Sequence, residues 1–187
     1  DFVRTTPPDG ALILTITGDE EDIGEDGTVA ILDWMRGAGE AMSVCLVGEP
    51  TSPETLGDMM KIGRRGSLTC HFDAQGVQGH SAYPQRAKNP LHAMVRLLDR
   101  LASTPMDAGT EHFDASTLQV TTIDTGNRAT NVIPARARAT VNIRFNDAHS
   151  AASVSDWLRA EAGEVAADTG LSTSPDIHAT RESFLTP

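Results

Sequence analysis

Residues 137–145 alternate without a break: Ala137, Ala139, Val141, Ile143 and Phe145 fall on one side, Arg138, Thr140, Asn142 and Arg144 on the other. A period of two is the geometry of a β-strand, whose successive side chains point to opposite faces. A strand written this way belongs to a sheet with one wet face and one face that another layer must cover. The sequence also supplies the cover. Asn89-Pro90 opens a helix as cap and first residue, and Leu91, Met94, Leu97, Leu98 and Leu101 form its apolar stripe. A second helical stripe runs through Val154, Trp157, Leu158, Ala162, Val165 and Ala166 and stops near Gly170. Further strands read at 67–74, where Leu68, Cys70, Phe72 and Ala74 share a face, at 118–123, and faintly at 171–178. The order β-α-β-β-α-β predicts a ferredoxin-like α+β domain: a four-stranded antiparallel sheet with two helices on one face. Its polar face is left to look toward a ligand or a neighbouring domain.

The first third of the chain reads differently. Ala11–Thr17 and Val44–Val47 are continuous apolar runs, read as buried strands, with a helical pattern between them from about Gly27 to the Gly37-Ala38-Gly39 stop. Strand, helix, strand predicts an α/β layer with a parallel sheet. Each strand delivers carboxylates at its C-terminal end, where open α/β sheets place their sites. Asp19-Glu20-Glu21 follows the first, and Glu49, in Gly48-Glu49-Pro50-Thr51, follows the second. Adjacent carboxylates repel and resist desolvation, so such a cluster needs open solvent or a cation. A solvated acidic loop continuing through Asp22, Glu25 and Asp26 and a divalent-metal site both fit. None of the six histidines, His71, His80, His92, His112, His149 and His178, lies near these strand ends. A metal here would need oxygen ligands alone or ligands from elsewhere.

The pattern changes after Gly63-Arg64-Arg65-Gly66. His80 lies in Gly76-Val77-Gln78-Gly79-His80-Ser81-Ala82-Tyr83-Pro84, a glycine-framed loop between a strand and a helix, where it reads equally as solvated or functional. Arg64 and Arg65 fit either surface charges at a hinge or binders of a substrate carboxylate. Asn131-Val132-Ile133-Pro134 reads on its own as a strand entry, and Arg144, on the polar strand face with Asn142, as a surface residue. The formal charge of −11 over 187 residues argues against nucleic acid as a partner. No apolar run reaches membrane-spanning length, and Asp1-Phe2-Val3-Arg4 has neither the basic nor the apolar part of a signal peptide. A soluble, cytoplasmic chain is expected, with no membrane partner; the missing initiator Met suggests an internal fragment. Cys45 and Cys70, both in strand-like surroundings, read as buried thiols of a reducing compartment rather than a disulfide.

Together these segments resemble the zinc-dependent peptidase and deacylase family that includes carboxypeptidases and acetylornithine deacetylase. The resemblance rests on Thr17-Gly18-Asp19-Glu20-Glu21, Val47-Gly48-Glu49-Pro50-Thr51, Gly57-Asp58, Lys61-Ile62-Gly63-Arg64-Arg65-Gly66-Ser67, the His80 loop, Asn89-Pro90, Asn131-Val132-Ile133-Pro134 and Phe184-Leu185-Thr186. It implies a catalytic α/β domain, incomplete at residues 1–65, interrupted by a lid and dimerisation domain at 66–175 and resuming at 176–187. It implies a homodimer and a small-molecule substrate, N-succinyl-L,L-2,6-diaminopimelate, hydrolysed at its amide with two Zn2+ ions, Co2+ or Mn2+ being acceptable substitutes. On that resemblance Glu20 is the base that deprotonates a zinc-bound water, while Glu21 and Glu49 each ligate one zinc. His80 reaches from one subunit's lid into the partner's site to stabilise an oxyanion, and Arg64, Asn131 and Arg144 hold substrate carboxylates. The family's other metal ligands fall outside residues 1–187, so this chain alone is expected to be inactive. The alternatives are an acetylornithine deacetylase or other aminoacylase of the same family, and a lid serving only as a dimerisation module.

Overall fold

The computed structural model describes residues 2–6, 9–18, 25–49 and 51–186, and the chain divides into two units, Asp1–Pro50 and Thr51–Pro187. In the first, the described regular elements are helical: α1 (Phe2–Thr5) and α2 (Ala30–Ala38), the latter entered through a π-type turn at Glu25–Val29. Gly39 closes α2 in the left-handed conformation, φ 75°. Its N–H donates to Arg36 O at 3.2 Å, and the Glu40 N–H donates to Met35 O at 2.9 Å. The two strands expected here are not formed. Residues 11–17 and 44–47 have no regular secondary structure, and Leu14, Ile16 and Leu46 are 85 %, 85 % and 82 % exposed. The reason is physical: a parallel strand is stable only with hydrogen-bonded neighbours and cover on both faces. The described part of this unit offers one nine-residue helix and no sheet. Cys45, expected to be buried with its strand, is exposed for the same reason.

The second unit contains β1 (Gly63–Arg64), β2 (Gly66–Gln75), β3 (Gly79–His80), α3 (Pro90–Ser103), β4 (Thr117–Asp124), β5 (Val132–Ile133), β6 (Arg136–Phe145), α4 (Ala151–Thr169), β7 (Thr173–Arg181) and β8 (Phe184–Leu185). Four long strands form one sheet in the order β4-β6-β2-β7, with every pairing antiparallel. The long elements follow the expected order β-α-β-β-α-β. Two-stranded ribbons β1-β8 and β3-β5 are added to it.

The alternation in β6 is realised as burial. Ala137, Ala139, Val141, Ile143 and Phe145 are inside, joined by Leu68, Cys70, Phe72 and Ala74 of β2. Met94, Leu97 and Leu101 of α3 and Val154, Leu158 and Val165 of α4 complete the core. Each large side chain so enclosed contributes about 1.5–3 kcal/mol. The helices start where their caps predict. The Leu91 N–H donates to Asn89 Oδ1 at 3.0 Å. At α4 the Ser153 N–H donates to Ser150 Oγ at 3.1 Å and the Ser150 N–H to Ser153 Oγ at 3.0 Å, a reciprocal cap. Glu182, beyond β7, accepts the Ala151 N–H on both carboxylate oxygens and so fastens the outgoing chain to the start of α4. Cys70 is fully enclosed, and burial pushes its thiol up to about 12.

A polar knot holds the loop between α3 and β4. Asp107 Oδ1 accepts from the Gly109 N–H (2.8 Å), the Ser116 N–H (3.1 Å) and Asn146 Nδ2 (2.8 Å), while Oδ2 lies 3.0 Å from His149 Nε2. Burial raises the Asp107 carboxyl, but hydrogen bonds from Ser116, Gly109 and Asn146 outweigh it and hold the group well below the usual carboxylate range.

Candidate functional site

The expected site residues of the second unit sit at opposite ends of its sheet. His80 and Asn131 share one end. After β2 the chain enters the loop that carries His80, and before β6 it leaves the segment that carries Asn131. Gly79 pairs with Ile133 and His80 with Val132, and the Ser81 N–H donates to Asn131 O at 2.9 Å. A bridge between Val77 and Lys88, with both N–H groups bonded at 2.9 Å, closes the base of the loop. The glycines are required by close approach. A Cβ on Gly76 would run into the Lys88 carbonyl, and one on Gly79 would stand 2.7 Å from Ala87 Cβ. Within this frame His80 is exposed, and its Nδ1 accepts the Ala82 N–H at 3.1 Å. An acceptor Nδ1 places the ring proton on Nε2, so the neutral imidazole presents an N–H donor outward. Tyr83 attends it, ring centroids 5.8 Å apart, and Arg86 lies over the Tyr83 ring at 5.5 Å. No periodicity marked Tyr83 as part of this group; its presence in the glycine-framed loop was the only signal.

Arg64 and Arg144 share the other end. Arg144, on the outer face of β6, pairs with Ser67, and the neighbouring pair is Phe145 with Gly66, two residues beyond Arg64. Both arginines are exposed. Among the described residues neither guanidinium has an ion-pair partner, in contrast to Arg136, which is bonded to Asp73. That bond from Arg136 holds the Asp73 carboxyl below its ordinary value against the opposing effect of burial. Between the two ends run the register pairs from Gly66–Phe145 to Gln75–Arg136, a span of about 30 Å at about 3.4 Å per residue. Within this chain, then, His80 and Asn131 do not meet Arg64 and Arg144.

Glu20 and Glu21 lie outside the described residues. Glu49 is exposed on an irregular segment of the first unit, its N–H bonded to Val47 O at 3.1 Å. Among the described residues no three His, Cys, Asp or Glu side chains are grouped to hold a metal. Of the two expected metal ligands only Glu49 is among the described residues, and no chemical step is assigned to a metal. No helix among the described residues is long and apolar enough to cross a membrane.

Residues 62–170 match the family model described as a peptidase dimerisation domain. The chain belongs to this family. It is 71 % identical over 187 residues to a protein from Cereibacter sphaeroides named succinyl-diaminopimelate desuccinylase, covering 100 % of this chain and 49 % of the relative. A protein of the same name from Dinoroseobacter shibae is 65 % identical over 187 residues, with the same coverage. The chain thus spans about half the length of the curated relatives it matches. Among solved structures, aminopeptidase PepT from Bacillus cereus superposes with a TM-score of 0.55 at 11 % identity, covering 67 % of this chain and 32 % of that one. At that identity the likeness is one of fold.

Proposed function

We propose that this chain is the lid, with adjoining catalytic segments, of a metal-dependent amidohydrolase that converts N-succinyl-L,L-2,6-diaminopimelate to succinate and L,L-diaminopimelate. This is a cytoplasmic step of lysine and diaminopimelate synthesis. The observation that carries the reading is 71 % identity across all 187 residues with a relative named for that activity. The activity belongs to the whole parent; the 187-residue chain alone is inactive. In the parent, residues 1–65 and those that follow β7 are parts of the catalytic domain, and the ferredoxin-like lid, expected at 66–175, extends to Arg181, where β7 ends. Glu20 is the base, and Glu21 and Glu49 are among the ligands of two zinc ions.

The described site residues suit the substrate. Arg64 and Arg144 are exposed guanidiniums without carboxylate partners among the described residues, matched to the substrate's carboxylates. His80 offers an Nε2–H donor to the oxyanion that develops as the amide is attacked, and Asn131 orients a carboxylate beside it. One subunit holds the two pairs about 30 Å apart, so a site that uses all four takes Arg64 and Arg144 from one subunit and His80 and Asn131 from its partner. The lid is accordingly the dimer interface.

The test uses the full-length parent. It should hydrolyse the succinylated amine in preference to N-acetylornithine, and His80→Ala should lower kcat about 100- to 1,000-fold. Mixed dimers of His80→Ala and Arg144→Ala subunits should regain activity that neither variant has alone, because one site per heterodimer is then intact. A preference for the acetylated substrate overturns the substrate assignment, and failure of complementation overturns the shared site.

A further inference from the structure

We propose that His71 and His178 form a two-imidazole site for a borderline transition ion, Zn2+, Ni2+ or Cu2+, on the solvent face of the four-stranded sheet. On the neighbouring strands β2 and β7, His71 lies opposite Asp176 and His178 opposite Thr69. The three side chains His71, Asp176 and His178 therefore project from the same face, and all three are exposed. The two rings meet edge-on with centroids 5.6 Å apart. With metal–nitrogen bonds of about 2.0–2.1 Å, two imidazoles on one tetrahedral ion have centroids about 5 Å apart.

The hydrogen bonding is what distinguishes this pair from a chance contact. His71 Nδ1 lies 3.1 Å from Thr140 Oγ1, and His178 Nε2 lies 3.2 Å from Asp176 Oδ2. Each ring thus has one nitrogen held by a hydroxyl or a carboxylate. The other nitrogens, His71 Nε2 and His178 Nδ1, have no partner among the described residues. Ligating imidazoles are oriented in this way, one nitrogen fixed by a polar neighbour and the other turned to the ion. Imidazole ligands favour borderline transition ions over Mg2+ or Ca2+. With two protein ligands, water fills the remaining positions, and the affinity falls well short of a structural zinc site. An ion held here cross-links the edge strand β7 to β2, so melting should rise with metal concentration.

The experiment titrates the metal-free 187-residue chain with Zn2+ and Ni2+ by calorimetry and thermal shift, and maps Cu2+ by paramagnetic broadening of its amide NMR signals. Expected are saturable binding, broadening that includes residues 71 and 178, and a rise in Tm with Zn2+. Asp176→Asn should weaken binding about tenfold. His71→Ala and His178→Ala should remove the thermal shift while leaving the metal-free Tm unchanged, since both side chains stand in solvent. The proposal is overturned by a broadening map that spares both histidines, by a double His variant that titrates like the unaltered chain, or by the absence of saturable binding.

Discussion

Leu14 and Ile143 both lie in sequence runs that favour strands, yet Leu14 is 85 % exposed and Ile143 is fully buried. The difference is one of company. Ile143 has Leu68 beside it on β2 and Leu118 on β4, with two helices packed over the same face. Around Leu14 the described residues form no sheet. Strand preference is largely a preference for a pleated surface on which to pack, and only the second unit provides one. The candidate site inherits the same contrast. His80, Arg64 and Arg144 are fixed by strand register and Asn131 by the Ser81 N–H on its carbonyl, while Glu49 stands on a segment without regular structure.

The largest effect expected of this contrast is in stability. Phe72→Ala should cost about 3–5 kcal/mol, the range for a buried aromatic, whereas Leu14→Ala should stay within about 0.5 kcal/mol. Urea unfolding of both variants measures this directly, and equal losses would break the distinction between the units. Next comes thiol chemistry. At pH 8 the Cys70 thiol, pushed up to about 12, holds roughly a thousandfold less thiolate than an ordinary cysteine near 8.5. Iodoacetamide should therefore modify Cys45 and spare Cys70 in the folded chain; modification of both at one rate would mean that the core opens readily. The smallest effect sharpens the picture within the second unit. Asp107 has a depressed folded-state pKa, so its contribution is complete above the ordinary carboxylate value of about 4 and is lost as pH falls through the folded-state value. Tm should drop below about pH 4, and Asp107→Asn should lower Tm at neutral pH while flattening that acid dependence. An unchanged acid profile in the variant would detach the carboxylate from the knot.

The long elements of the second unit were legible because each advertises itself locally. The two-residue period of 137–145, the Asn89-Pro90 cap and the stripes of α3 and α4 need no distant partner to be read. The ribbons β1-β8 and β3-β5 were not legible, since two residues carry no period. Nor was the knot joining Asp107 to Asn146 and His149, groups 39 and 42 residues apart. For the candidate site, residue types could be singled out from motifs, but their division between opposite ends of the sheet required the β2-β6 register. At 11–17 and 44–47 the reading failed because apolar continuity was taken for burial, and burial depends on the rest of the fold.

The β1-β8 ribbon has an architectural consequence. Gly63 faces Leu185 and Arg64 faces Phe184, so the two ends of the segment 63–185 within this unit lie about 5 Å apart. Any polypeptide hosting the unit meets it as a gap no wider than a hairpin turn, however many residues lie between. The closure entropy that normally grows with loop length is thereby set by the ribbon instead of by the inserted sequence. A module built this way can be acquired, exchanged or circularly permuted while its host keeps its own topology.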